Sequence, residues 1–265
     1  GDLLLAVDGA PVGPATLEQL LLNTVNRPVV LTVSREGAER LMRFRPVGLW
    51  PLRDLLYDEY LGKMRAYVDR ISGGRLAYAH IRSMDQESYD RFQMELFSES
   101  HGKDGLIIDV RSNGGGWTTD LLLQLLAQKP HARTVPRDGG EGYPDFERKR
   151  VYTWKKPFVV LCAQDSFSNA EIFSHAVKTL GLAKVVGVET NGSVISTDEV
   201  QLLDGSDFRM PTRGWWALGT GKNQEEAGAV PDIIVENPPE IWAREGRDLQ
   251  VEAAVKALIE GLPPV

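Results

Sequence analysis

Two periods run through the hydrophobic positions of this chain. Phe158-Val159-Val160-Leu161-Cys162 and the run beginning Leu106-Ile107-Ile108 are short, almost uncharged stretches, the pattern of buried strands. Arg75 to Ile81 sets Leu76, Tyr78 and His80 against Ala77, Ala79 and Ile81, the two-residue period of a strand. Helical spacing follows each of these: Tyr89, Phe92, Met94 and Phe97 within 85–97; Leu121, Leu122, Leu123, Leu125 and Leu126; then Ile172, Phe173, Ala176, Val177 and Leu180. The chain therefore holds at least two strand–turn–helix units, one turning through Asn113-Gly114-Gly115-Gly116 and one through Asp165-Ser166-Phe167-Ser168.

On either side of this region the pattern changes. Residues 1–47 read as strand 3–7, a turn at Asp8-Gly9, a short helix from Thr16 to Leu22 with Thr16 as its cap, strand 29–33, a turn at Glu36-Gly37 and return strand 41–44. Residues 48–73 carry Trp50, Leu52, Leu55, Leu56, Leu61, Met64, Tyr67 and Val68, mostly at helical spacing, and predict a linking helix packed on the core. Residues 130–156 are polar and rich in Gly and Pro, without periodicity, and read as either a functional flap or a mobile segment, placed near a cleft edge. Downstream lie a hairpin about Asp204-Gly205 and a closing helix over 243–260.

Composition narrows the class. The chain has 265 residues, 42% hydrophobic and 25% charged, as in an ordinary globular protein. A net charge of −7 disfavours nucleic acid and anionic lipid as partners, and no apolar run is long enough to span a membrane. Cys162 stands alone in an apolar strand and reads as core. The chain opens in mid-pattern at Gly1-Asp2-Leu3 and is read as a fragment, so a signal peptide would lie upstream.

Ser168 is the candidate for chemistry. It stands where a buried strand ends and a helix begins, a place that lifts a side chain above a sheet and leaves backbone N–H groups free. That suits a nucleophile with an oxyanion hole. From this stretch alone a simpler reading is open: Ser168 as an N-cap, with Glu171 completing a capping box. The glycines at 114–116 would let backbone amides approach a substrate carbonyl; no G-K-[ST] follows them, against a phosphate loop.

Asp109-Val110-Arg111-Ser112-Asn113-Gly114-Gly115-Gly116, Ser168-Asn169-Ala170-Glu171 and Gly187-Val188-Glu189-Thr190-Asn191-Gly192 together resemble, in order and spacing, the tail-specific and tricorn-type serine peptidases. The resemblance runs from about residue 74 to about 258 and includes Val230-Pro231-Asp232-Ile233-Ile234-Val235, which resembles a V-x-P-D-I-x-V strand late in these peptidases and so implies a strand over 230–235. It implies an α/β fold, a ClpP/crotonase-like ββα-spiral core (74–265) with strands 76–81, 106–110 and 158–162 in one mixed sheet. It also implies Ser168 as nucleophile and an oxyanion hole from the amides of Asn169 and of Gly115 or Gly116. Gly1 to Gly9, with the strand and turn of 29–37, looks like the second half of a PDZ domain, a partial β-rich module over 1–47 joined by the helix at 48–73.

Tail-specific peptidases pair their serine with a lysine about 25 residues on, in a T-x-G-K run; Thr190-Asn191-Gly192-Ser193 puts Ser193 there, and a serine cannot act as that base. Tricorn-type enzymes instead use a histidine from a domain upstream of the PDZ module and a glutamate in an E-N-x-G motif. Glu225 matches that glutamate, although Glu226 replaces the asparagine. His80 in a core strand, His101 in a polar turn, His131 in the flap and His175 two helical turns beyond Ser168 are not expected to serve as base. The expected activity is hydrolysis of oligopeptides or unfolded chains through a Ser168 acyl-enzyme, without metal or other cofactor. Alternatives are a non-hydrolytic peptide-binding scaffold or a crotonase-type acyl-CoA enzyme. The resemblance is compatible with a homo-oligomer and favours the cytoplasm.

Overall fold

The computed structural model describes residues 1–128, 133–135, 137, 143–144 and 153–263. Most of the segment 130–156, His131 included, lies outside these residues. The chain divides into two compact units, Gly1–Gly62 and Lys63–Val265.

In the first unit β1 (Leu3–Val7), β2 (Ala10–Pro11), β3 (Val29–Arg35) and β4 (Ala38–Phe44) form an antiparallel sheet in the order β2-β1-β3-β4, with α1 (Leu17–Leu21) between β2 and β3. Val7, Val29 and Val33 are its buried residues on these strands. Thr16 precedes α1 without capping it; its hydroxyl oxygen accepts from Gly13 N–H at 2.7 Å. The helix α2 (Leu49–Ile71) begins here and continues into the second unit. Its expected burial holds only for its later turns: Leu61, Met64 and Val68 are buried, while Trp50, Leu52, Leu55 and Leu56 are exposed.

The second unit is built on β5 (Leu76–His80), β6 (Gly105–Asp109), β9 (Phe158–Cys162), β10 (Lys184–Gly187) and β13 (Ile233–Ile234). Two short strands, β7 (Arg133–Thr134) and β8 (Tyr143–Pro144), pair with each other in between. The five-stranded sheet has the order β13-β10-β9-β6-β5, and every neighbouring pair is parallel, so the expected mixed sheet is corrected to an all-parallel one. All residues of β5, β6 and β9 are buried, which explains their largely apolar runs: a sheet covered on both faces has little room for polar residues, and Asp109 at the end of β6 is accommodated by its ion pair with Arg111.

The strands lie side by side in chain order, so right-handed crossovers carry α3 (Gln86–Phe97), α4 (Thr119–Leu126) and α5 (Asn169–Thr179) to one face. Phe92, Leu96, Leu122, Leu125, Phe173 and Val177 from these helices pack with Ala79, Ile108, Val160 and Val185 of the sheet. The helix α7 (Leu249–Ile259) packs against β6, β9 and β10. Residues 243–260, expected as one helix, are instead the end of α6 (Pro239–Glu245) and then α7; Gly246 at φ 62° ends the first and Asp248 caps the second, accepting from Val251 N–H at 2.9 Å. The hairpin about Asp204-Gly205 is present as β11 (Ser196–Gln201) and β12 (Asp207–Arg213). No described helix is long and apolar enough to cross a membrane.

Candidate active site

Parallel strands deliver all their following turns to one sheet edge, where open α/β sheets bind ligands. His80 and Asp109 are register partners, as are Cys162 and Gly187, so the turns after β5, β6, β9 and β10 leave that edge together. The glycine turn and the serine turn thereby become neighbours.

Side chains fasten them. Ser112 N–H and Oγ–H donate to the two oxygens of Asp165 at 3.0 and 2.6 Å. Phe167 N–H donates to Asn113 O at 2.9 Å. The Asn113 amide, fully buried, donates to Ile81 O at 2.7 Å and accepts from Gly115 N–H at 2.9 Å. Asn169 Oδ1 accepts from Thr119 N–H at 3.0 Å, tying the start of α5 to the start of α4. A side-chain carbon on Gly115 would lie 2.6 Å from Ser168 Cβ and 3.0 Å from Asn169 N, closer than real side chains approach, and Gly115 has φ 91°. On Gly116, at φ 142°, that carbon would meet Met84 O at 2.1 Å. Both positions require glycine.

Ser168 adopts φ 55° and ψ −118°, a strained conformation for a residue with a side chain and the geometry of a nucleophile on a sharp strand-to-helix turn. At the start of α5 Glu171 N–H bonds Ser168 O at 3.0 Å, and the Ser168 hydroxyl makes no hydrogen bond of normal geometry among the described residues. The capping-box arrangement of Ser168 and Glu171 is present, and its firm bond is Ser168 N–H donating to Glu171 Oε1 at 2.9 Å. Gly115 N–H is committed to Asn113, whereas Gly116 N–H and Asn169 N–H have no acceptor among the described residues.

Glu225 is half-buried, and its Oε2 accepts from Val194 and Ile195 N–H at 2.8 and 2.9 Å. Glu226 beside it is exposed, and its N–H bonds Gly192 O at 2.7 Å. Neither carboxylate bonds Ser168. Ser193 places its hydroxyl on Asn191 Oδ1 at 2.6 Å. The histidines within the described residues lie elsewhere: His80 Nε2 is 2.9 Å from Arg111 O, His101 is exposed, and His175 Nε2 is 3.2 Å from Thr179 Oγ1. Burial, then the charge of Lys178, lowers the His175 pKa.

Beneath the glycine turn is a buried ionic cluster. Arg111 bonds Asp109 at 2.6 Å and Asp248 at 2.9 Å, and Tyr78 OH donates to Asp109 at 2.8 Å. Burial alone would raise the Asp109 carboxyl, but the Arg111 charge and hydrogen bonds outweigh it and hold the pKa below the usual carboxylate range. Arg111 shifts the other way: burial would lower it, and Asp109 and Asp248 raise it. Cys162 is fully buried, and burial, followed by the Asp109 charge, pushes its thiol up to about 12. No described cluster of acidic, histidine or cysteine residues could hold a metal ion.

Sequence reasoning did not single out Asn113, Thr119 or Asp165. Their signal was present, an Asn ahead of glycines and polar residues flanking two helix starts, but which groups they join depends on contacts over 32 to 53 positions of chain.

Residues 75–235 match Peptidase family S41. Over 265 residues the chain is 34% identical to "Tricorn protease homolog 1" of Streptomyces coelicolor and 29% identical to "Tricorn protease" of Thermoplasma volcanium, covering 99% of this chain in each case. It spans only about a quarter of those relatives, 24% and 25% of their lengths. A solved structure titled "Crystal structure of the tricorn protease" superposes with a TM-score of 0.83 at 28% identity, over 98% of this chain and 25% of that one.

Proposed function

The chain belongs to Peptidase family S41, and on that premise we propose that it carries the nucleophile-bearing part of a tricorn-like serine peptidase acting on oligopeptides or unfolded chains. Ser168 Oγ attacks the peptide carbonyl carbon as its proton passes to a base. The carbonyl oxygen, now an anion, accepts from Gly116 and Asn169 N–H. Collapse expels the amine with a proton and leaves an acyl ester on Ser168, which water then cleaves. Gly115 serves by being small enough for the two turns to touch.

The observation that carries this reading is the strained Ser168 turn set beside the Gly116 and Asn169 amides, which have no acceptor among the described residues. The base in this reading is a histidine from residues outside this chain, with Glu225 orienting it; among the described residues, the partners of His80 and His175 and the exposure of His101 support this, and His131 lies outside the described residues. The division into a half-PDZ module over 1–47, a link over 48–73 and a core over 74–265 belongs to the same reading. Hydrolysis of a fluorogenic oligopeptide by a longer protein, one extended upstream of Gly1 towards the length of the relatives, tests it. Turnover that disappears with Ser168→Ala is the expected result, and turnover unaffected by Ser168→Ala refutes it.

A further inference from the structure

Glu171 is 1% exposed, and among the described residues no lysine, arginine or histidine pairs with it. A buried carboxylate without a counter-ion needs strong donors. It has four: Oε1 accepts from Ser168 N–H at 2.9 Å and Ser193 N–H at 3.0 Å, and Oε2 accepts from Thr190 Oγ1 at 2.6 Å and from Gly192 N–H. It also sits in the first turn of α5, where the helix dipole favours negative charge.

An ordinary cap needs one of these bonds. The other three reach a loop 19 to 22 residues away. The next two amides of that loop, Val194 and Ile195, are the ones that hold Glu225. One carboxylate thus fixes both the backbone of the strained serine and the loop on which Glu225 rests.

We propose that Glu171 is a positioning residue of the peptidase site, holding Ser168 and Glu225 in mutual register. This rests on the reading of Ser168 as nucleophile. A gap of about 1 Å between reacting groups can cost about a hundredfold in rate, so the register matters more to turnover than to folding.

The test uses the longer protein and two variants. Glu171→Gln keeps the volume but turns an NH₂ group on to N–H donors; Thr190→Val removes one donor to Glu171, together with the acceptor of Ala229 N–H at 2.7 Å, and leaves the helix start intact. Peptide kcat and KM, the rate of covalent Ser168 labelling by a fluorophosphonate, and Tm are measured for each. The expected result is a fall of about a hundredfold in kcat and labelling rate for Glu171→Gln and about tenfold for Thr190→Val, with KM within about threefold. Thr190→Val with wild-type kcat and labelling, whether or not Glu171→Gln folds, overturns the proposal in favour of a cap alone. An unlabelled wild-type Ser168 instead refutes the nucleophile reading, and this inference with it.

Discussion

Gly115 and Ser168 stand so close that a single methyl group on Gly115 would lie 2.6 Å from the serine Cβ. Two turns separated by some 50 residues of chain are pressed together without room for a side chain, and the backbone of Gly115 is itself at φ 91°. Gly115→Ala is therefore expected to move Ser168 or the glycine turn, because both the steric contact and the φ angle oppose it. The expected cost is about 1–3 kcal/mol of stability and about a hundredfold or more in kcat. Urea unfolding and peptide turnover of the longer protein check it; unchanged kcat would show that the close approach is not needed.

Glu225 and Glu226 differ in what they touch. Glu225 holds two loop amides and leaves Oε1 without a hydrogen bond among the described residues, whereas Glu226 points to solvent. Glu225→Gln in the longer protein is expected to lower kcat by up to about 10⁴, the size of losing the residue that orients a catalytic base. Glu226→Gln is expected to stay within about threefold of wild type. Equal, small effects at both positions would remove Glu225 from the mechanism.

Ser193 N–H and Ser168 N–H donate to the same oxygen, Glu171 Oε1, at 3.0 and 2.9 Å, so the two nitrogens lie no more than about 6 Å apart. A lysine at 193 therefore has the reach to approach the Ser168 hydroxyl. Ser193→Lys in the present chain is expected to raise the rate of fluorophosphonate labelling of Ser168 by at least about tenfold above the parent, with a steep rise through the lysine titration. Equal rates in parent and variant would contradict that reach.

The Asp109–Arg111 pair gives a pH signature. The Asp109 carboxyl is lowered in the folded state, so its contribution to stability is present above its ordinary value of 3.8 and is lost as the pH falls below it. Asp109→Asn leaves Arg111 short of its main partner, and breaking a buried ion pair costs about 3–5 kcal/mol. In urea unfolding the difference between wild type and variant is expected to be large at pH 7 and to shrink below pH 3.8. A difference independent of pH would mean that the variant acts through packing.

Much of the architecture was legible in the sequence because its strands are buried on both faces and so carry uncharged runs, as in Phe158–Cys162. Ser168 was legible because strand and helix periods meet there. Other features were set by contacts that no local pattern encodes. The Glu171 S-x-x-E pattern announced a cap, but the arrival of Thr190, Gly192 and Ser193 at its carboxylate is long-range. The strand read over 230–235 shrinks to Ile233–Ile234 because only these two pair with β10. Trp50 and Leu55 have core-like side chains at helical spacing, yet they are exposed. The break between α6 and α7 had a signal in Gly246 and Asp248, which the apolar period of 243–260 obscured.

The most direct measurement compares the longer protein with residues 1–265 under a fluorophosphonate, locating the adduct by peptide mass spectrometry. In the longer protein one adduct is expected, on Ser168, and absent in Ser168→Ala. The present chain is expected to label at least about 10³-fold more slowly, since a serine hydroxyl without its base is a weak nucleophile. An active longer protein that carries no adduct on Ser168, or a present chain that labels as fast as the longer one, would contradict a Ser168 nucleophile served by a base from outside this chain.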